Sequence, residues 1–319
     1  MQPGEVTVGF DIGGTNLRAG VLDGAGELLA QATRPTPRTT EGLEDTIAEL
    51  VGEYRLRYPV GAVGIALAAF LDPDCETVRF APHLSWRDTP VRALLEERLG
   101  LPVRLEHDAN SAAWGEYRLG AARGAETWVY FAVGTGIGAT LMTGGEIYRG
   151  AYGTAPEFGH ITVVPGGRPC PCGKLGCLER YCSGSALVDT AVELVHQKSF
   201  PESALASRVR RDPRAVRGQE IMAAAEKGDP AGRAVAADFA HWLGVGLSVV
   251  ADILDPELVV LGGGVAAAAG VYLDEAREQF ASHIVGTGYR PLAEVRVGEL
   301  GRNAGMIGVA ELARHVSCA

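Results

Sequence analysis

Lysine is nearly missing from this chain: only Lys174, Lys198 and Lys227 occur among 319 residues. None of them lies in a G-x-x-x-x-G-K-[ST] loop, which excludes a Walker-A nucleotide site. A G-x-G-x-x-G turn opening the first unit is missing too, which argues against a dinucleotide dehydrogenase. No apolar run approaches the ~20 residues that span a bilayer. The N-terminus lacks the basic start of a secretory signal. Basic residues are outnumbered 29 to 39, for a net charge of −10. That balance argues against a broad nucleic-acid footprint or an anionic membrane surface. The expectation is a cytoplasmic protein with neither nucleic-acid nor membrane partners. Any phosphate it binds must be held by local dipoles and metal ions, because the overall field repels it.

What is abundant is glycine, with 43 residues against the usual ~7%. No collagen period accompanies it, so the excess belongs at turns where backbone approaches backbone or ligand. The length suits two packed domains without staples. Six cysteines occur, and four of them (Cys170, Cys172, Cys177 and Cys182) fall within 13 residues. Such clustering belongs to a metal site and not to a disulfide framework. Cys75 and Cys318, and the tryptophans Trp86, Trp114, Trp128 and Trp242, receive no functional role.

The chain reads as alternating strands and helices, an α/β pattern. Strands are expected at Val6–Ile12, Leu17–Leu22, Glu27–Thr33, Ala62–Ala68 and Val103–Glu106, with helices over Glu41–Arg57, between Pro90 and Gly100, and from Asp108 to Leu119. The pattern then restarts. Val8-Gly9-Phe10-Asp11-Ile12-Gly13-Gly14-Thr15 lines up with Val129-Tyr130-Phe131-Ala132-Val133-Gly134-Thr135-Gly136. An internal repeat of this kind predicts two related α/β domains, each offering a glycine loop. Helices over Ala215–Lys227, Ala234–Leu254 and Ala304–Val316, and strands at Leu258–Leu261 and Glu294–Val297, complete the reading.

Three glycine clusters follow strands: Asp11-Ile12-Gly13-Gly14-Thr15, Gly134–Gly138 and Gly262-Gly263-Gly264. Without side chains, their backbone N–H groups can close on phosphate oxygens. Asp11 is a candidate Mg²⁺ partner, and a turn-capping carboxylate is an equal reading. Asp108, in His107-Asp108-Ala109-Asn110, stands where a strand hands over to a helix. Alone it reads as a helix N-cap; functionally it would be a base that takes a hydroxyl proton during phosphoryl transfer. The strongest local signal is Glu157-Phe158-Gly159-His160 followed by Cys170-Pro171-Cys172-Gly173-Lys174-Leu175-Gly176-Cys177-Leu178-Glu179. His160, Cys170, Cys172 and Cys177 make a Cys₃His set suited to structural Zn²⁺, with Cys182 the competing fourth ligand. A metal-bound imidazole holds one tautomer and offers its second nitrogen as an oriented donor beside Glu157 and Glu179.

Together these motifs resemble the ROK family of repressors, open reading frames and sugar kinases, and within it the ATP-dependent kinases that act on glucose. The resemblance implies an actin-like ATPase (ribonuclease H-like) α/β fold, with two lobes around a nucleotide and sugar cleft. The expected lobes are residues 1–108 plus 301–319, and residues 109–300 with the zinc motif and the nucleotide glycine run. It implies transfer of phosphate from MgATP to a hexose, glucose first; N-acetylmannosamine, mannose or fructose are alternative acceptors, and polyphosphate an alternative donor. By position, Asp108 is the base for the 6-hydroxyl. His107, Asp108, Glu157, His160 and Glu179 contact the sugar. Asp11, Gly13, Gly14, Thr15, Asn16, Thr135 and Gly136 line the phosphates, with Gly263 and Gly264 toward the adenosine. Zinc falls to His160, Cys170, Cys172 and Cys177. A homodimer or homotetramer is expected. A sugar-sensing regulator would need an N-terminal helix-turn-helix, for which the ten residues before Asp11 are too few. One departure stands out: such kinases usually carry Asn immediately before the base, and here it is His107.

Overall fold

The computed structural model describes residues 4–82, 84 and 86–315. Cys318 and the expected last helical residue, Val316, lie outside them. By compactness the chain divides into two units. Unit 1 is Met1–Glu126, Thr140–Pro156 and Gly298–Ala319; unit 2 is Thr127–Ala139 and Glu157–Val297.

Unit 1 is built on a meander of β1 (Val6–Ile12), β2 (Asn16–Leu22) and β3 (Leu28–Pro35), paired antiparallel. β4 (Val60–Leu67) and β8 (Val103–His107) extend the sheet in parallel, giving the order β3-β2-β1-β4-β8. The strands bury nearly every side chain in β1 and β4, as expected where helices cover a sheet. Helix α1 (Thr40–Arg55) starts where the Thr39 side chain accepts from the Gly42 amide, and buries Leu43, Ile47, Leu50 and Val51. These join Phe10, Ile65 and Leu105 in one core. A small sheet of β5 (Phe70–Leu71), β6 (Val78–Phe80) and β7 (Arg87–Thr89) follows. Its strands are two or three residues long, too short for a periodic signal in the sequence. Helix α2 (Val91–Leu99) stops at Gly100, which takes the left-handed backbone its position predicts.

The expected boundary at residue 108 does not match the compact units, because helix α3 (Asp108–Leu119) packs on α9 (Ala304–Ala313) within unit 1. The approach is so close that a Cβ on Gly308 would stand 1.7 Å from the Ser111 carbonyl oxygen. Only glycine permits that contact. At the far end of α3, the buried Glu116 carboxylate accepts from the amides of Ala121, Glu299 and Leu300 at 2.9–3.0 Å. α9 also lies on β1 and β4.

The second sheet repeats the first. β9 (Thr127–Val133), β10 (Ile137–Thr143), β11 (Glu146–Tyr148), β12 (Leu258–Gly262) and β13 (Glu294–Val297) run in the order β11-β10-β9-β12-β13. β10 and β11 form an antiparallel hairpin, and β12 pairs in parallel with β9 and β13. The two aligned glycine loops therefore occupy the same place, at the end of each central strand. The division between units falls within β10, after Ala139.

Helices α4 (Gly184–Gln197), α5 (Ala204–Arg211), α6 (Gly218–Glu226), α7 (Pro230–Leu254) and α8 (Ala269–His283) complete unit 2. Among the described residues, α7 alone is long and apolar enough to cross a membrane by length and composition. Its Val235, Phe239, Leu243 and Leu247 are buried in the protein, which is the pattern of a core helix. Asp229 caps it, accepting from the amides of Ala231 and Gly232, with Pro230 at the first helical position.

Candidate active site

In unit 1 the candidate residues lie at the ends of β1 and β8, the two strands that flank β4 in the sheet. β1 delivers Asp11, and the Gly13 amide closes the following turn on the Asn16 carbonyl at 3.0 Å. Gly14, Thr15 and Asn16 are exposed on that turn. Burial pushes the Asp11 carboxyl up to about 6, opposed by Arg18 at 3.8 Å and reinforced by the charge of Asp108. A carboxylate held that reluctantly is suited to a cation. Arg18 is thus a partner of Asp11 that the sequence reading did not single out.

β8 delivers His107 and Asp108. Asp108 is the first residue of α3, with His107 at the cap position. The Asp108 Oδ1 accepts from the adjacent Ala109 amide at 2.7 Å and lies 3.3 Å from the His107 Nδ1. Asp108 is 44% exposed in its side chain, and its Oδ2 has no hydrogen bond among the described residues. The carboxylate therefore has an accessible oxygen with which to accept a proton. Asn110 is placed differently: it is buried, its Nδ2 donating to Glu106 at 3.0 Å and its Oδ1 accepting from Thr140 at 2.9 Å. It does not substitute for the usual Asn at position 107.

In unit 2 the excursion after residue 156 brings His160, Cys170, Cys172 and Cys177 together, with ligand atoms all within 4.8 Å of one another. The His160 Nδ1 stands 3.6 Å from the Cys170 Sγ, and the Sγ atoms of Cys172 and Cys177 are also 3.6 Å apart. Tetrahedral zinc with bonds of 2.0–2.3 Å places its ligand atoms about 3.5–3.8 Å apart, a spacing that the two 3.6 Å pairs match. Cys182 is not in the group; it is fully buried, with its thiol pKa raised by burial and by Asp238 and Glu179. Burial also pushes the Cys170 thiol up to about 12, so a bound cation would displace a proton there. The wrap depends on Gly176, whose left-handed backbone lies so near Val164 that a Cβ would meet its carbonyl oxygen at 1.7 Å.

With Nδ1 turned to the thiols, the His160 Nε2 points toward Glu157, 3.9 Å away. Glu179 connects the cysteine cluster to the second glycine loop: its Oε1 accepts from Cys170 at 3.4 Å and its Oε2 from the Ile137 amide at 3.3 Å. Gly136 lies against the same carboxylate.

Unit 2 also contains a cavity of about 1,910 Å³ whose walls include Gly134, Thr135, Gly184, Ser185 and Gly264. The first residues of α4 hold the loop, the Gly184 amide donating to the Gly134 carbonyl at 2.7 Å. Gly136 and Gly263 do not line this cavity; Gly263 is turned with positive φ against Val133. α4 and α8 supply further walls that the sequence reading missed, although Ser183 followed by a small-residue turn is an N-cap signal.

The chain matches the ROK family over residues 7–316. It belongs to the ROK family. It is 39% identical over 310 residues to the glucokinase of Streptomyces coelicolor, covering 97% of this chain and 98% of that one. A ROK family glucokinase from Streptomyces griseus, solved in complex with glucose and AMPPNP, shares 41% identity and a TM-score of 0.86, covering 98% of this chain and all of the other. The ROK hexokinase of Thermus thermophilus shares 35% identity and a TM-score of 0.79, covering 97% and 98%. The fold of this ROK protein is accordingly the actin-like ATPase fold expected of it.

Proposed function

We propose that this ROK protein is an ATP-dependent hexose kinase that phosphorylates glucose on its 6-hydroxyl. The observation that carries the reading is its 41% identity, over 98% of its length, to a glucokinase solved with glucose and AMPPNP. The half-exposed Asp108 carboxylate and the glycine-lined cavity of unit 2 support it.

Asp108 orients the acceptor hydroxyl and takes its proton as the oxygen bonds to the γ-phosphorus and the bond to the β-phosphate oxygen breaks. The products are glucose 6-phosphate and ADP. Phosphoryl transfer needs little basicity from the base, so an ordinary carboxylate in the right place suffices. Glu157 and Glu179 accept from sugar hydroxyls, and the His160 Nε2–H donates to one. Zinc held by His160, Cys170, Cys172 and Cys177 would fix that imidazole's tautomer. His107 contacts the sugar beside the base.

Gly13, Gly14, Thr15, Asn16, Thr135 and Gly136 present backbone or hydroxyl donors to the phosphates, and Gly263 and Gly264 lie toward the adenosine. Mg²⁺, held through Asp11 and the phosphates, would neutralise charge on the transferring group. The assembly is a homodimer or homotetramer and the compartment the cytoplasm.

The test is Asp108→Asn. Glucose binding measured by calorimetry is expected to persist while turnover falls by at least ~10²-fold. Turnover at the wild-type rate would remove Asp108 from the role of base.

A further inference from the structure

We infer that Glu106, which touches no substrate in this account, is a positioning residue that holds the base in place through a buried polar clamp. The inference rests on the assignment of Asp108 as base. Glu106 is 1% exposed at the end of β8, and its carboxylate accepts from five groups, the Cys75 Sγ at 3.9 Å from Oε1 among them. Oε1 takes the Asn110 Nδ2 at 3.0 Å and the His107 amide at 3.1 Å. Oε2 takes the Arg104 Nη2 at 2.9 Å and the Arg149 guanidinium.

The clamp acts on the backbone immediately before Asp108. The His107 amide is tied to Glu106, and the His107 carbonyl accepts from the Ser111 Oγ at 2.9 Å. Both polar groups of the preceding residue are thereby fixed. Asn110, one turn into α3, is held on its other side by the Thr140 hydroxyl. Arg149 is itself anchored on the Ile147 carbonyl at 3.1 Å. Burial pushes the Glu106 carboxyl up, but Arg149 and Arg104 outweigh it and hold the group below the usual carboxylate range. The Glu106 carboxylate is thus ionised with both oxygens hydrogen-bonded, which favours one geometry around it, while the Arg104 Nε in the same clamp has no partner among the described residues.

This matters because the base works by orientation. A displacement of about 1 Å at a reacting group costs roughly 10²-fold in rate, and Asp108 has little beyond its backbone to aim it. Its side chain makes one hydrogen bond, to the adjacent Ala109 amide.

The test is a double-mutant cycle of Glu106→Gln and Asp108→Asn, with kcat and KM measured for glucose and MgATP and melting followed by circular dichroism. Glutamine keeps the shape and an acceptor for Asn110, but not the charge that holds both arginines. Glu106→Gln alone is expected to lower kcat by about tenfold, with KM for ATP within about twofold of wild type. In the Asp108→Asn background the same change is expected to alter the residual rate by less than about twofold, since the group it positions is gone. A full tenfold loss in both backgrounds, or no loss in either, overturns the inference. Wild-type turnover in Asp108→Asn alone is a different result and overturns the base assignment instead. Should Glu106→Gln fail to fold, Thr140→Val releases Asn110 from its other side and enters the same cycle. A loss of about threefold that disappears with Asp108→Asn is then expected, and a loss that persists contradicts the clamp.

Discussion

The His160 Nδ1 lies 3.6 Å from the Cys170 Sγ, while the Nε2 of the same ring is directed toward Glu157. One imidazole thus faces the thiol cluster through one nitrogen and Glu157 through the other, the nitrogen proposed above to meet the sugar. Removing a thiol should therefore damage sugar binding without touching any sugar ligand. Freshly purified protein is expected to carry about one zinc per chain by metal analysis. Cys172→Ser should lose the metal and raise KM for glucose more than KM for ATP. A metal-free wild type, or an unchanged glucose KM in the zinc-free variant, would contradict the coupling.

Asp11 makes stability depend on pH. Its carboxyl is raised from 3.8 to about 6, by burial first. A raised acid contributes stability that is fully present below 3.8 and is lost as pH rises through about 6. Asp11→Asn removes the buried charge. The apo variant should be more stable than wild type at pH 7.5 by about 1–3 kcal/mol, and the difference should vanish near pH 3.5–4. Thermal denaturation at the two pH values checks this; equal differences at both would contradict it.

His107 stands beside Asp108, its Nδ1 3.3 Å from the Asp108 Oδ1. Replacing it with Asn is expected to change the ratio of kcat/KM among glucose, mannose, fructose and N-acetylmannosamine by about threefold or more, the scale of one altered polar contact. A kinetic profile that is unchanged across the panel would make the residue a bystander to sugar choice.

Gly308 has no space for a side chain, since a Cβ would meet the Ser111 carbonyl oxygen at 1.7 Å. Gly308→Ala should cost about 2 kcal/mol or more by forcing α9 away from α3. Gly24→Ala, where nothing lies within 4 Å, should be nearly neutral. Urea denaturation of the two variants gives the comparison, and equal effects would contradict the packing described.

Much of this was legible in the sequence, and for identifiable reasons. Val6–Ile12 and Glu294–Val297 are strands with the bounds their patterning predicts. The aligned Gly13 and Gly134 loops are visible as one topology used twice. The cysteine spacing anticipated a cluster that includes His160. What escaped the sequence depends on tertiary neighbours. Helix α4 carries Val188, Thr190, Val192 and Val195, β-branched residues that blur helical periodicity, and it forms because Ser183 caps it and its apolar face packs on α7. Glu106 and Arg149 are 43 positions apart; nothing local marks either as half of a buried pair. The boundary expected at residue 108 missed the packing of α3 on α9, a contact between segments nearly 200 residues apart.

Glucose 6-kinase activity is tested by incubating the protein with glucose and MgATP and resolving the products by phosphorus NMR. Glucose 6-phosphate and ADP are expected in equal amounts, with no phosphorylation at any other hydroxyl. ATP left intact in the presence of glucose and of every other hexose tried would contradict it.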